Sequence, residues 1–119
     1  MECYAPLTDW DNEADCMIAL KQDGYDIQVV DTQTLALCIQ AVKTSAYAIQ
    51  HCKFQTKEMA LIAVNQSAFA LCYVRRQTPD ICIAACKNDP KVYKKVKRNI
   101  KNSKKFKQFW LEHKLKGLA

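Results

Sequence analysis

Apolar residues recur along this chain with a spacing of 22. Ala19, Ala41, Ala63 and Ala85 stand in one register, and each is followed by an apolar residue, Leu20, Val42, Val64 or Cys86. The same frame aligns Met17, Ile39, Leu61 and Ile83, then Tyr25, Tyr47 and Phe69, then Ile27, Ile49, Leu71 and Tyr93, and finally Val30, Cys52, Val74 and Val96. Polar positions keep the register as well: Gln33, Gln55 and Gln77, then Asn12, Thr34, Thr56 and Thr78, and Lys21, Lys43 and Lys87. Agreement in so many columns without one insertion marks four tandem repeats over residues 12–96. A repeat of this length decides the architecture before any single element does.

Within each unit the columns predict a helix, a tight turn and a shorter helix. Asn or Thr is a helix N-cap, its side-chain oxygen accepting from free N–H groups of the first turn. Thr78 is followed by Pro79 and Asp80, which places proline at the first helical position and an acid beside the positive end of the helix dipole. From Thr34, the residues Leu35, Cys38, Ile39 and Val42 fall at i, i+3, i+4 and i+7, the apolar stripe of a helix about ten residues long. A polar or small pair then interrupts the pattern at Asp23-Gly24, Ser45-Ala46, Ser67-Ala68 and Asp89-Pro90. The second helix follows, for example over 47–53, with Ile49 and Cys52 inward. Neither helix buries its stripe alone, so the units must stack.

The ends of a stack need covers. Residues 1–11, with Tyr4, Leu7 and Trp10, form an N-terminal cap segment in this reading, and residues 97–119 form a basic amphipathic C-terminal helix, all within one domain. The fourth repeat runs into the lysine-rich KVYKKVKRNIKN, read as a helix over 91–101 with lysines around much of its circumference. In the following SKKFKQFWLEHKLKGLA, Ser103 caps a helix whose face is Phe106, Phe109, Trp110 and His113. The fold class is therefore all-α, an α-solenoid-like array of four helix-turn-helix repeats plus a basic capping helix.

Composition agrees with this and adds a charge division. Only two glycines and three prolines occur in 119 residues, half of which are hydrophobic, so turns are few and helix dominates. The formal net charge of +6 averages two unlike parts, because residues 1–86 carry six Lys/Arg against ten Asp/Glu and residues 87–119 carry twelve against two. Such asymmetry points to an anionic partner for the C-terminal end. The residues expected to meet it are Lys94, Lys95, Lys97, Arg98, Lys101, Lys104, Lys105 and Lys107, too close together for an ordinary surface of interspersed signs.

Chemistry-bearing residues are few. The seven cysteines are odd in number, no CxxC pair occurs, and the acidic opening MECYAPLTDWDNEAD has no signal-peptide pattern, so the expectation is an intracellular, reducing compartment without a disulfide framework. No apolar run reaches the roughly 18 to 20 residues of a membrane span. Cys82 with Cys86, and His51 with Cys52, are the only fragments of a metal site. Because Cys16, Cys38 and Cys82 share one column and Cys52 and Cys86 replace aliphatic residues, they read as small core residues. Only His51 and His113 are available as catalytic bases, and neither lies in a motif. No catalytic residue, metal or cofactor is expected, and the chain reads as non-enzymatic.

The segment QTLALCIQAVKTSAYAIQHCKFQTKEMALIAVNQSAFALCYVRRQTPDICIAAC resembles the short helical repeat of unknown function iterated in proteins of giant DNA viruses of amoebae, with relatives in some intracellular bacteria. The likeness lies in Gln-Thr, Ile-Cys-Ile/Leu, Ala-Val-Lys, a small-residue turn, Tyr-Ala-Ile/Leu and Val before the next Gln-Thr, over about residues 12–96. It implies a viral protein with no catalytic residues, acting in the host cytoplasm or virus factory, and includes a virion component among its roles. Where the family pattern has Asn-Gly at the turn, only Gly24 matches here. Alanine in a left-handed conformation costs about 1 kcal/mol, so Ala46 and Ala68 imply turns of more than one geometry.

Three functions fit these expectations. The first is a scaffold that binds other proteins through the repeat surface and its basic end. The second is sequence-independent nucleic-acid binding or packaging, since no base-reading motif is visible. In the third, the chain lies on an anionic membrane, with Phe106, Phe109 and Trp110 in the interface.

Overall fold

The computed structural model describes residues 8–115, which are helical through most of their length and contain no strand. Helices α1 (Glu13–Gln22), α2 (Leu35–Thr44), α3 (Lys57–Gln66) and α4 (Pro79–Asn88) are each ten residues long. Each is followed by a six-residue 3₁₀ helix: Gly24–Val29, Ala46–His51, Ala68–Tyr73 and Pro90–Lys95. The expected second helix is thus present but wound more tightly. Six residues of 3₁₀ helix span about 12 Å and six of α-helix only about 9 Å, so the tighter winding nearly matches the roughly 15 Å of the α-helix beside it.

The caps lie where the columns place them. Asn12, Thr34, Thr56 and Thr78 accept from the N–H groups of Asp15, Leu37, Met59 and Ile81. At the other ends Asp23, Ser45, Ser67 and Asp89 are extended, with φ between −150° and −144°, and donate their N–H to the carbonyls of Ala19, Ala41, Ala63 and Ala85. All four turns therefore share one geometry, which corrects the expectation drawn from Gly24. Gly24 is not left-handed; its demand is steric, since a Cβ there would stand 2.3 Å from the Ala41 carbonyl oxygen.

The units stack in two layers. Successive α-helices pack side by side, as do successive 3₁₀ helices; each 3₁₀ helix packs against the α-helix of its own repeat, and the first three also against that of the next. Between the layers lie Cys16, Cys38, Ala60 and Cys82, the four alanines of the first register, Leu20, Val42, Val64 and Cys86, together with Ile27, Ile49 and Leu71. Leu35 departs from the expected stripe, being 45% exposed, while Leu37 is buried. No polar residue is buried among those described. The result is a rod of 55 × 24 × 17 Å.

Glutamine staples the repeats together. The Gln55 amide donates to the carbonyls of Ile49, 3.1 Å away in its own repeat, and Tyr73, 2.9 Å away in the next, while its oxygen accepts from the Arg75 N–H at 2.9 Å. Gln33 makes the equivalent bonds to Ile27, His51 and Lys53. Gln77 reaches Lys95 and Lys97 in the same manner. The Ile27 and Ile49 carbonyls also accept from the N–H of Val30 and Cys52, but the groups reached in the next repeat lie where its 3₁₀ helix ends, and leaving one of those unpaired would be costly.

The C-terminal end keeps the register to Val96 and then departs from expectation. There is no continuous helix over 91–101: Val96 and Lys97 are extended, α5 is only Arg98–Lys101, and α6 runs over Lys104–Leu115. Gln77 requires the break, because its bonds to Lys95 and Lys97 consume backbone groups that a helix would pair internally. Ser103 caps α6 as expected, accepting from the Phe106 N–H at 3.3 Å. Helix α6 lies against α4 and α5 and covers the end of the array. At the opposite end Trp10 packs on the core, while Tyr4 and Leu7 lie outside the described residues.

Candidate functional site

The basic residues of the C-terminal end divide into those bound within the fold and those left facing outward. Lys105 pairs with Asp80, which also holds Lys57 at 2.9 Å. These two cations, through hydrogen bonds from Lys105 and then Lys57, hold the Asp80 carboxyl down at about 2. Lys97 donates to the Arg75 carbonyl at 3.5 Å. It continues a column that the sequence reading missed, in which Lys53 reaches the Asp31 carbonyl and Arg75 the Cys52 carbonyl at 2.6 Å. Lys101 stands 4.3 Å above the centre of the Tyr93 ring. Lys94, Lys95, Arg98, Lys104 and Lys107 are exposed.

Helix α6 positions an aromatic cluster beneath these cations. Phe106, Phe109, Trp110 and His113 share a face by their i, i+3, i+4 and i+7 spacing. Trp110 stacks on Tyr93 at 4.3 Å with planes 14° apart. Phe106 is 1% exposed, so it closes the core and does not face an interface; Phe109 and Trp110 are half-buried against the same core. The apolar residues of α6 that do face outward are Leu111 and Leu115.

Between α5 and α6 the surface forms a groove of about 620 Å³. Its floor is Tyr93, Phe106 and Trp110, its rim carries Arg98, Lys101, Lys107 and Lys114, and Leu111 and Asn102 complete the walls. No carboxylate lines it. The groove therefore offers several cations beside an apolar floor, which suits an anionic partner that also buries apolar surface. Of the eight expected cations it gathers Arg98, Lys101 and Lys107. Lys114 and Leu111 were missed, although their offsets of seven and four from Lys107 put them on one helical face.

Elsewhere the surface offers little chemistry. A second concavity of about 610 Å³ along the turn edge is lined by Asp23, Tyr25, Ser45, Tyr47, Gln66 and Ser67 among others, with no cation. No three metal-ligating side chains converge among the described residues. Cys82 and Cys86 are buried between the layers, where desolvation pushes their thiols up to about 12 and about 11. Cys52 is likewise raised, by a hydrogen bond shared with Cys38 and by burial. The six described cysteines are all free thiols, and Cys72 is the exposed one. His51 meets the Tyr25 ring edge-on at 5.6 Å, and His113 lies against Phe109 and Trp110.

Fold and site together define an all-α repeat array with a cationic groove at one end. Comparison with protein-family models, curated proteins and solved structures found no match in any of the three. No helix among the described residues is long and apolar enough to cross a membrane.

Proposed function

We propose that the chain is a non-enzymatic scaffold that holds the acidic surface of another protein in its C-terminal groove. The observation carrying this reading is the groove itself, in which four cations surround an aromatic floor without a single acid. Helices α5 and α6 border it, and electrostatic complementarity of this kind steers encounter and selects partners. The resemblance of the repeat to that of giant-virus proteins extends the proposal to a virus-encoded scaffold, with a place in the virion among the settings it allows.

The two other readings fit the groove less well. Binding of single-stranded nucleic acid draws on aromatic faces open to bases, but Tyr93 has Trp110 on one side and Lys101 near its ring. Membrane contact through Phe106 is opposed by its burial. An affinity capture from the native source tests the proposal, comparing the chain with an Arg98→Glu, Lys107→Glu, Lys114→Glu variant of unchanged circular dichroism. The wild-type chain is expected to retain acidic proteins that elute with salt and that the variant does not hold. Equal capture by both chains would overturn the assignment. So would a preference for oligonucleotides or anionic vesicles over every protein.

A further inference from the structure

We propose that the C-terminal groove receives the acidic outer side of the first repeat of a second copy, so that copies associate head to tail. This rests on the groove reading above and names its partner.

The charges of the rod are separated along its length. Residues 8–34 carry seven Asp/Glu and only Lys21 in opposition, whereas residues 87–119 carry twelve Lys/Arg against two acids. The rod's 55 Å exceeds the Debye length of about 10 Å at 0.1 M salt several-fold, so the two ends do not neutralise each other within one molecule. Asp9, Asp11, Glu13 and Asp15 gather around the start of α1, close enough for all four to raise the Cys16 thiol after burial and so to act as one negative surface.

Each surface also carries an exposed aliphatic side chain. On α1, Asp15 and Ile18 lie one turn apart, with Asp11 just before the N-cap Asn12, and Ile18 is 55% exposed. Across the groove wall Lys107, Leu111 and Lys114 fall at i, i+4 and i+7 on α6, and Leu111 is 59% exposed. Each surface thus sets one exposed aliphatic side chain among charges opposite in sign to those of the other. The two surfaces differ, so the contact is heterologous and repeats without closing unless the rotation happens to form a ring. An end of 24 × 17 Å offers about 400 Å² per partner, half of the roughly 800 Å² of a standard stable complex, which makes the association weak and reversible.

Sedimentation velocity over a concentration series tests this with two charge-reversed chains, Asp11→Lys with Glu13→Lys, and Arg98→Glu with Lys107→Glu and Lys114→Glu, each first checked for unchanged circular dichroism. At low salt the wild-type chain is expected to increase in average mass with concentration beyond a dimer, and to return to monomer at about 1 M salt, where the Debye length is about 3 Å. Each variant alone is expected to stay monomeric. Their mixture pairs the intact groove of one with the intact acidic surface of the other, and the two reversed surfaces are themselves complementary, so association is expected to return on mixing. A wild-type chain that stays monomeric at low salt, or variants that do not pair when mixed, would overturn the proposal. Titration with a poly-glutamate peptide separates this from the groove reading: if the peptide binds the wild-type chain but not the groove variant while no self-association occurs, the groove survives and the second copy does not. If the peptide does not bind either, both readings fall.

Discussion

Gln33, Gln55 and Gln77 do the work of joining one repeat to the next. Gln33 and Gln55 each bond three backbone groups from two repeats, and Gln77 bonds two in the repeat that follows it. Replacing Gln55 by Leu leaves the Tyr73 carbonyl and the Arg75 N–H to compete for water at a half-buried site, while the Ile49 carbonyl keeps its bond from the Cys52 N–H. At about 1 to 3 kcal/mol for each group left unpaired, less where water reaches it, the expected loss is about 2 to 4 kcal/mol. Gln50 is the comparison: its amide bonds only the Tyr47 carbonyl within its own 3₁₀ helix, and Gln50→Leu should cost less than about 1 kcal/mol. Urea unfolding of both variants measures the difference. Equal losses would mean that the glutamine column is a surface feature.

At the scale of elements, the placement of α6 depends on a contact between parts far apart in sequence. Asp80, in the first turn of α4, joins Lys57 of α3 to Lys105 of α6 and so ties the cover to the third and fourth repeats. Its carboxyl is held near 2, below the ordinary carboxylate value of about 3.9, so the tie is fully present above that ordinary value and is lost as pH falls toward 2. Hydrogen exchange of the α6 amides is expected to accelerate over that interval. In Asp80→Asn, α6 should exchange faster already at neutral pH and should lose this acid-dependent step. If α6 exchange is the same in both proteins at every pH, the aromatic cluster alone holds the cover. Phe106 and the Tyr93–Trp110 stack are the apolar part of that attachment, which explains why the aromatic face of α6 turns inward and its leucines outward.

Across the whole molecule, the net charge of +6 conceals a rod with opposite ends. Twelve cations against two acids over residues 87–119 repel one another, and only Lys105 among the described ones has an ion-pair partner. Salt relieves such repulsion: the Debye length falls from about 30 Å at 0.01 M to about 8 Å at 0.15 M. The thermal midpoint in dilute solution is therefore expected to rise by a few degrees between those salt concentrations, with about 1 kcal/mol corresponding to roughly 4 to 8 °C in a domain near this size. Calorimetry at both ionic strengths decides it, and a midpoint that falls with salt would show that attractions dominate at this end.

The amino-acid sequence by itself determined the number of repeats, their spacing, the α-helical half of each and its caps, because these follow from local rules. A Thr at the N-cap and an apolar residue every three or four positions act within one turn of helix, and repetition four times makes the signal unmistakable. The buried placement of Ala19, Ala41, Ala63 and Ala85 was legible for the same reason. Tertiary structure decided what depends on a neighbour. Whether six residues wind as 3₁₀ or α-helix follows from the length of the helix they cover, and the role of Gln55 exists only once the next repeat lies beside it. The common turn geometry was hidden because Gly24 suggested a conformational need, when its demand is clearance from the Ala41 carbonyl. The basic cluster was legible as a candidate anion-binding end, but not which of its cations share one groove. Folding withdrew Lys97 and Lys105 into contacts with earlier repeats, broke the helix expected over 91–101, and brought Arg98, Lys101 and Lys107 together with Lys114 over Tyr93 and Trp110. Charge is a property of residues one at a time, whereas a groove is a property of the helices that α4 and Asp80 hold together.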